Sequence, residues 1–164
     1  MSFTFALEQD RSQRPPLHRR LAIRTAVGLA RLLVLLPAHR LQHVLAVLSR
    51  GARPAGADET GAVRDSVLAT SLAMNGLRSC LPRSVAVTLL CRARGSWPTW
   101  CVGVRTAPPF TAHAWVEAEG RLIGEKGRHD SWARLLTVAA PSSHGNPGNP
   151  GNPGNPGISG NSRH

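Results

Sequence analysis

Tyrosine is missing from the 164 residues, lysine occurs once, at Lys126, and aromatic residues amount to only 4%. A core without rings in quantity has to be built from Leu, Val and Ala, and a ring-poor chain offers no aromatic platform on which nucleobases could stack. Acidic residues are also few, 9 against 20 basic, which leaves a net charge of +11. That balance excludes an acidic solvating protein and directs attention to nucleic acid, anionic membrane or an acidic peptide as partners. Because nearly all the basic residues are arginine in a chain rich in alanine, the bias reads as a GC-rich coding sequence, so no single Arg is functional by default. The three cysteines have no CxxC spacing. An odd count argues against a disulfide framework, and a reducing cytoplasm is the expected location.

Long apolar runs are absent too. The most apolar stretch, Ala26 to Leu36, is interrupted by Arg31 and is about half the length of a membrane span. Glu8 and Asp10 precede the first arginine, the wrong order for a signal peptide. HExxH and paired-cysteine motifs are lacking, which makes a zinc hydrolase the weakest of the enzymatic readings.

What is present divides the chain into four parts. Residues 1–16, polar, charged and closed by Pro15-Pro16, are expected to be disordered. Residues 17–73 form a helical region: helical spacing of Leu21, Val27, Leu29, Leu32 and Leu36 predicts one helix from Leu17 to about Leu36, ended by Pro37. Leu41, Val44, Leu45 and Leu48 predict a second, from about Arg40 to Leu48, and Val63, Val67 and Leu68 a third, from Ala62 to about Ala73, after a loop. Residues 74–140 carry a helix led by Cys80, with Pro82 just inside its start and Gly95 just past its end. Two strands are predicted at Thr99 to Arg105 and Ala112 to Ala118, a third over GRLIGE after a turn at Glu119-Gly120, and a short closing helix over Trp132 to Leu136. Helices first and a small antiparallel sheet after them make an α+β domain. Residues 141–164 end in the repeat GNPGNPGNPGNPG, which has no apolar side chain to bury and is expected to be disordered, with no catalytic role.

One constellation carries chemistry. Cys80 stands at the start of a predicted helix, His113 on a predicted strand, and Glu125 at the end of the next. A thiol attacks only as a thiolate, and its pKa falls at a helix N-terminus near an imidazole. The helix offers Cys80 the positive end of its dipole and N–H groups free to hold an oxyanion. His113 is placed to exchange the proton, and a carboxylate on the neighbouring strand to orient the ring. Asp130, in a polar turn five residues after Glu125, is the fallback for the third group. Cys91 lies eleven residues after Cys80, about 16 Å along a helix, too far for a disulfide or a shared metal site. It and Cys101 read as packed, inert thiols. Trp115 shares a strand face with His113, where it walls the cleft or simply fills the core. Arg83 and Ser84 are assigned structural roles fixing the loop before Cys80. Asn75 is a lesser candidate for an oxyanion donor, and His129 and His144 read as solvated.

The run CLPRSVAVTLLCRARG, followed by WPTWCVGVR, PFTAHAWVEAEG and GE, resembles the leader peptidase of lasso peptide biosynthesis. That family consists of transglutaminase-like cysteine proteases that free a core peptide from its leader. RRLAIRTAVGLARLL resembles the N-terminal helices of its short, stand-alone form. The similarity covers roughly residues 15–140. It implies Cys80 as nucleophile, His113 as base and Glu125 as third member, although many relatives carry Asp at the last position. It further implies a leader–core precursor peptide as substrate and an asparagine-synthetase-like cyclase acting downstream. No fused leader-recognition domain is legible, so a separate small leader-binding protein of the RiPP recognition element type is expected as a partner, with the basic Leu17–Leu36 helix as one surface for it. No cofactor, nucleic acid or membrane is expected.

Two other readings stand beside it. A transglutaminase-like acyltransferase would use the same three residues and resolve the thioester with an amine. An Arg-rich nucleic-acid module would suit the charge, but residues 1–53 spread nine arginines without a stripe, and both Phe residues of that segment fall in the first five positions.

Overall fold

The helix that begins at Cys80 is buried on nearly every side, which explains its near-continuous run of small and apolar residues. The computed structural model describes residues 17–71, 74, 76, 79–125 and 127–141. The predicted N-terminal segment 1–16, Asn75, His144 and the GNP repeat lie outside the described residues. In chain order the elements are α1 (Leu17–Leu33), α2 (Ala38–Leu48), β1 (Arg53–Pro54), α3 (Ala57–Thr70), α4 (Cys80–Ala93), β2 (Ser96–Trp97), β3 (Thr99–Arg105), β4 (Ala112–Ala118), β5 (Arg121–Leu122), a short 3₁₀ turn (His129–Ser131) and β6 (Trp132–Val138). The fold is α+β, as the sequence leads one to expect.

Buried Val85, Ala86, Val87, Leu90 and Cys91 of α4 meet Ile23, Ala26, Val27 and Ala30 of α1 and Val63 and Val67 of α3 in one apolar cluster. The side chains of α1 and α3 that enter it recur at three and four residues, one stripe of each helix. Fully burying an Ile or Val contributes about 1.5–3 kcal/mol. Ser84 and Thr88 are tolerated inside because their hydroxyls bond to the carbonyls of Leu81 and Ser84, both at 2.9 Å. Asp58 and Glu59 fall in the first turn of α3, the favourable end of its dipole, and the carboxylate of Glu119 accepts from the Ala57 N–H at 3.1 Å.

Four antiparallel strands are ordered β5-β4-β3-β6, and a separate two-residue parallel pair joins β1 to β2. Glu119 (φ 51°) and Gly120 (φ 68°) make the β4–β5 turn, where positive φ at both central residues suits the twist of a hairpin. The register of β3 on β6 shifts between Val102 and Gly103. A Cβ on Gly103 would collide with the Ala133 carbonyl oxygen of β6 and lie 2.9 Å from Trp115 Cη2, so only glycine fits there.

Three sequence expectations change. Trp132 to Leu136, expected as a closing helix, is the strand β6, hydrogen-bonded to β3. The GRLIGE strand contracts to Arg121–Leu122, because Gly124 turns left-handed at φ 70° and takes the chain off the sheet. The loop expected before the third helix is shorter, since α3 starts already at Ala57. Among the described residues no helix is long and apolar enough to cross a membrane.

Candidate active site

The Cys80, His113 and Glu125 side chains converge from three different elements. Cys80 opens α4, so the N–H groups of the first turn lie around its sulfur. The Leu81 N–H of α4 and the Ala114 N–H of β4 both act on the thiol, lowering its pKa. The first turn is anchored: the Arg83 N–H reaches the Ser79 carbonyl at 2.9 Å, and the Arg83 guanidinium donates to the Met74 carbonyl at 3.1 Å. Arg83 thus ties down the segment before Cys80, the structural role its position suggests. Ser84 instead receives the Trp100 indole N–H at 3.1 Å, joining α4 to β3.

His113, near the start of β4, is the neighbour that most influences the Cys80 thiol. Its Nε2 stands 2.9 Å from Glu125 Oε2, with side chains 17% and 16% exposed. That Nε2 has no hydrogen bond of good geometry, so the contact is a close ion pair rather than a formed hydrogen bond. With Nε2 committed to Glu125, Nδ1 is the nitrogen available to the thiol. Glu125 lies three residues beyond β5, in a loop rather than on the sheet. That loop is held by Arg64 of α3, whose guanidinium donates to the Gly124 carbonyl at 3.0 Å.

The electrostatics favour an ion pair. The imidazole beside it lowers the Cys80 thiol below its ordinary value, against the opposing effect of burial, and the Ala114 and Leu81 N–H groups add to the lowering. The neighbouring Cys80 first and then Glu125 raise His113 from 6.5 to about 9. The other two thiols go the opposite way. Burial, then the charge of Glu59, pushes Cys91 up to about 11, and burial, then Glu117, pushes Cys101 up to about 12. Both are fully buried, as their neighbours in the sequence suggest.

Asp130 is not part of the group. It is 71% exposed and pairs with Arg128 at 3.5 Å. His129, expected to be solvated, is half-exposed but bonded: Nε2 meets the Gly120 carbonyl at 2.7 Å, and Nδ1 lies 3.7 Å from Glu117. Of the two roles considered for Trp115, the structure shows that of a core residue. It is buried, and its ring stacks on His113 at 6.1 Å and 12°. The residue missed in the sequence is Trp132, stacked on His113 more closely, at 4.9 Å. Expected as a short closing helix, the segment is the strand β6 beside β3 and brings Trp132 against the imidazole instead. The Ala114 N–H has no side-chain signature at all. Among the described residues no group of three or more His, Cys, Asp or Glu side chains is arranged to hold a metal ion.

A cysteine at a helix start, facing a histidine on an antiparallel strand that leans on a carboxylate, is the arrangement used for acyl transfer through a thioester. A model of the transglutaminase-like superfamily matches residues 23–137, most of the chain. The chain belongs to the transglutaminase-like superfamily. The match takes in α4, β4 and the Glu125 loop together with the helices before them. The superfamily generally contains cysteine proteases and acyltransferases. No curated protein and no solved structure matches the chain.

Proposed function

We propose that the protein is a cysteine endopeptidase that removes the leader from a ribosomally synthesised lasso peptide precursor. The observation that carries this reading is the contact of Cys80, at the first turn of α4, with an imidazole held by Glu125. The resemblance of CLPRS and AHAWVE to lasso leader peptidases supplies the substrate class.

In this reading the Cys80 thiolate attacks the carbonyl carbon of the scissile amide, and the carbonyl electron pair moves onto oxygen. The oxyanion is met by N–H groups of the first helical turn, where the helix dipole is positive. Collapse expels the amine, which takes its proton from the His113 imidazolium, and the leader remains as a thioester on Sγ. His113 then takes a proton from water as the water attacks the thioester, and the thiolate leaves with release of the leader acid. Glu125 holds the ring and stabilises its cationic form.

Substrate affinity comes from a separate small leader-binding protein, which raises the local concentration of precursor to roughly millimolar. Against the nucleic-acid reading, several arginines are engaged in contacts within the fold. Arg19 bonds Ser66, Arg53 pairs with Glu59, Arg64 bonds Gly124, Arg92 bonds the Leu48 carbonyl, and Arg134 pairs with Glu117. Membership of a transglutaminase-like superfamily keeps one second reading open, in which an amine rather than water resolves the thioester.

The test is precursor cleavage reconstituted with and without the small partner protein, products identified by mass. Release of a free leader acid, lost in Cys80→Ala and retained in Cys91→Ala and Cys101→Ala, is the expected result. An amine adduct of the leader selects the acyltransferase. Equal loss in all three variants removes Cys80 as nucleophile, and equal kcat/KM with and without the partner removes the partner requirement.

A further inference from the structure

Four tryptophans are present, and three of them have a partner for the indole N–H. Trp97 donates to the Val138 carbonyl at 3.2 Å, Trp100 to Ser84 at 3.1 Å, and Trp115 to Glu117 at 2.8 Å. Trp132 differs, because its Nε1 is buried with no hydrogen-bond partner. Leaving a buried donor unsatisfied is unfavourable, and phenylalanine would fill much of the same space without that penalty. What the indole offers in return is its face. The ring lies 4.9 Å from His113, inclined by 29°, and 5.5 Å from Trp115. With Trp115 6.1 Å from His113, the three centroids form a triangle rather than a sandwich, so the imidazole rests chiefly on Trp132.

We propose that Trp132 is a positioning residue for His113: its π face supports the imidazolium and sets the tilt of the ring between Cys80 and Glu125. The face of an indole is negative, and a cation within about 6 Å of its centroid is stabilised, more so when water is excluded. This deepens the reading of His113 as the proton carrier and rests on it. The groups facing the imidazole are the Cys80 thiol from α4, Glu125 from the loop after β5, and the two indoles from β4 and β6. Behind Trp115 lies Glu117, paired with Arg134 on β6 at 2.8 Å and approached by His129 of the 3₁₀ turn. Removing the π face acts on the imidazolium whether the thiol is protonated or not. Loss of the Cys80 proton, which leaves the imidazolium charged on both sides of the equilibrium, should therefore hold its place, and loss of the imidazolium proton should move to lower pH.

The experiment follows the His113 ring proton by NMR across pH, assigned by its absence in His113→Gln, in the full chain with Trp132→Phe and Trp132→Leu. Site-specific mono- and trifluorotryptophan at position 132 are added, because they weaken the π face while keeping shape and folding. Cys80 alkylation by iodoacetamide against pH is recorded in parallel. Trp132→Leu should lower the His113 titration from its wild-type position by about one pH unit. Trp132→Phe should lower it by less, and the fluorinated forms should move it progressively with fluorine number, the onset of alkylation staying in place. A His113 titration unmoved by fluorination, or moved equally by Phe and Leu, overturns the proposal and leaves Trp132 as packing alone. Neither readout requires peptide cleavage, so failure here is distinct from failure of the proposed peptidase activity.

Discussion

Replacing His113 with alanine isolates the first cause of Cys80 reactivity. In the wild type, the imidazole is the largest influence lowering the thiol, followed after the opposing effect of burial by the Ala114 and Leu81 N–H groups. Without the ring, burial acts against the two N–H groups alone, and the thiol returns toward its ordinary value of 9.0. A thiol at that value is about 1% thiolate at pH 7, so alkylation by iodoacetamide at pH 7 should slow and the onset of its pH profile should move up. The other thiols provide an internal control. With Cys91 at about 11 and Cys101 at about 12, their thiolate fractions at pH 7 are about 10⁻⁴ and 10⁻⁵, and burial denies the reagent access as well. Peptide mapping by mass spectrometry after a short pulse should find label on Cys80 alone in the wild type. In His113→Ala, label should be on Cys80 alone but slower, with full rate recovered above pH 9. An unchanged onset in His113→Ala, or comparable labelling of Cys91 in folded protein, would refute the assignment of the imidazole as the group that activates Cys80.

Three further outcomes follow from the same geometry. Glu125→Gln should lower the proposed peptidase activity less than loss of Cys80 does, and Glu125→Asp should be tolerated. Asp130→Asn should have no effect, because Asp130 pairs with exposed Arg128 instead of His113; kcat/KM values check the order. His113 titrates at about 9 in the fold, above its ordinary 6.5. The stability it contributes is full below the ordinary value and lost as pH rises through about 9, so activity and stability should both decline there. Since Glu125 is the second cause of the rise, Glu125→Gln should bring the alkaline limb of the kcat/KM profile to lower pH. Gly103→Ala places a methyl group against the Ala133 carbonyl and the Trp115 ring. Overpacking of that kind costs about 2–3 kcal/mol, a fall in Tm of roughly 10 °C, measurable by thermal unfolding.

The parts of the fold with strong local signals were legible. The strand-like runs on either side of the Pro-Pro loop matched β3 and β4 at their observed bounds, and the Pro82–Gly95 punctuation located α4 within two residues. The Cys80–His113–Glu125 group could be read because a helix start, a strand and a hairpin return place those residue types together with few alternatives. β6 was not legible. Trp132, Leu135 and Leu136 have helical spacing, yet Leu135 is 65% exposed, and the segment is a strand because β3 offers it a free edge. Hydrogen bonds to a distant strand override local periodicity in that case. The β1–β2 pair is too short for any pattern and contains Pro54. Glu125 was expected on a strand; it reaches His113 from a loop because Gly124 adopts a left-handed conformation and Arg64, sixty residues earlier in the chain, holds that carbonyl.

Trapping the acyl-enzyme tests the central assignment most directly. The protein, the proposed precursor and the proposed leader-binding partner are mixed and quenched in acid within the first turnover, and the intact protein and its peptides are weighed. The expected result is a mass increase equal to the leader acyl group, located on the peptide that carries Cys80, removed by hydroxylamine and absent from Cys80→Ala. Leader release that continues in Cys80→Ala, or an adduct on any residue other than Cys80, would contradict it.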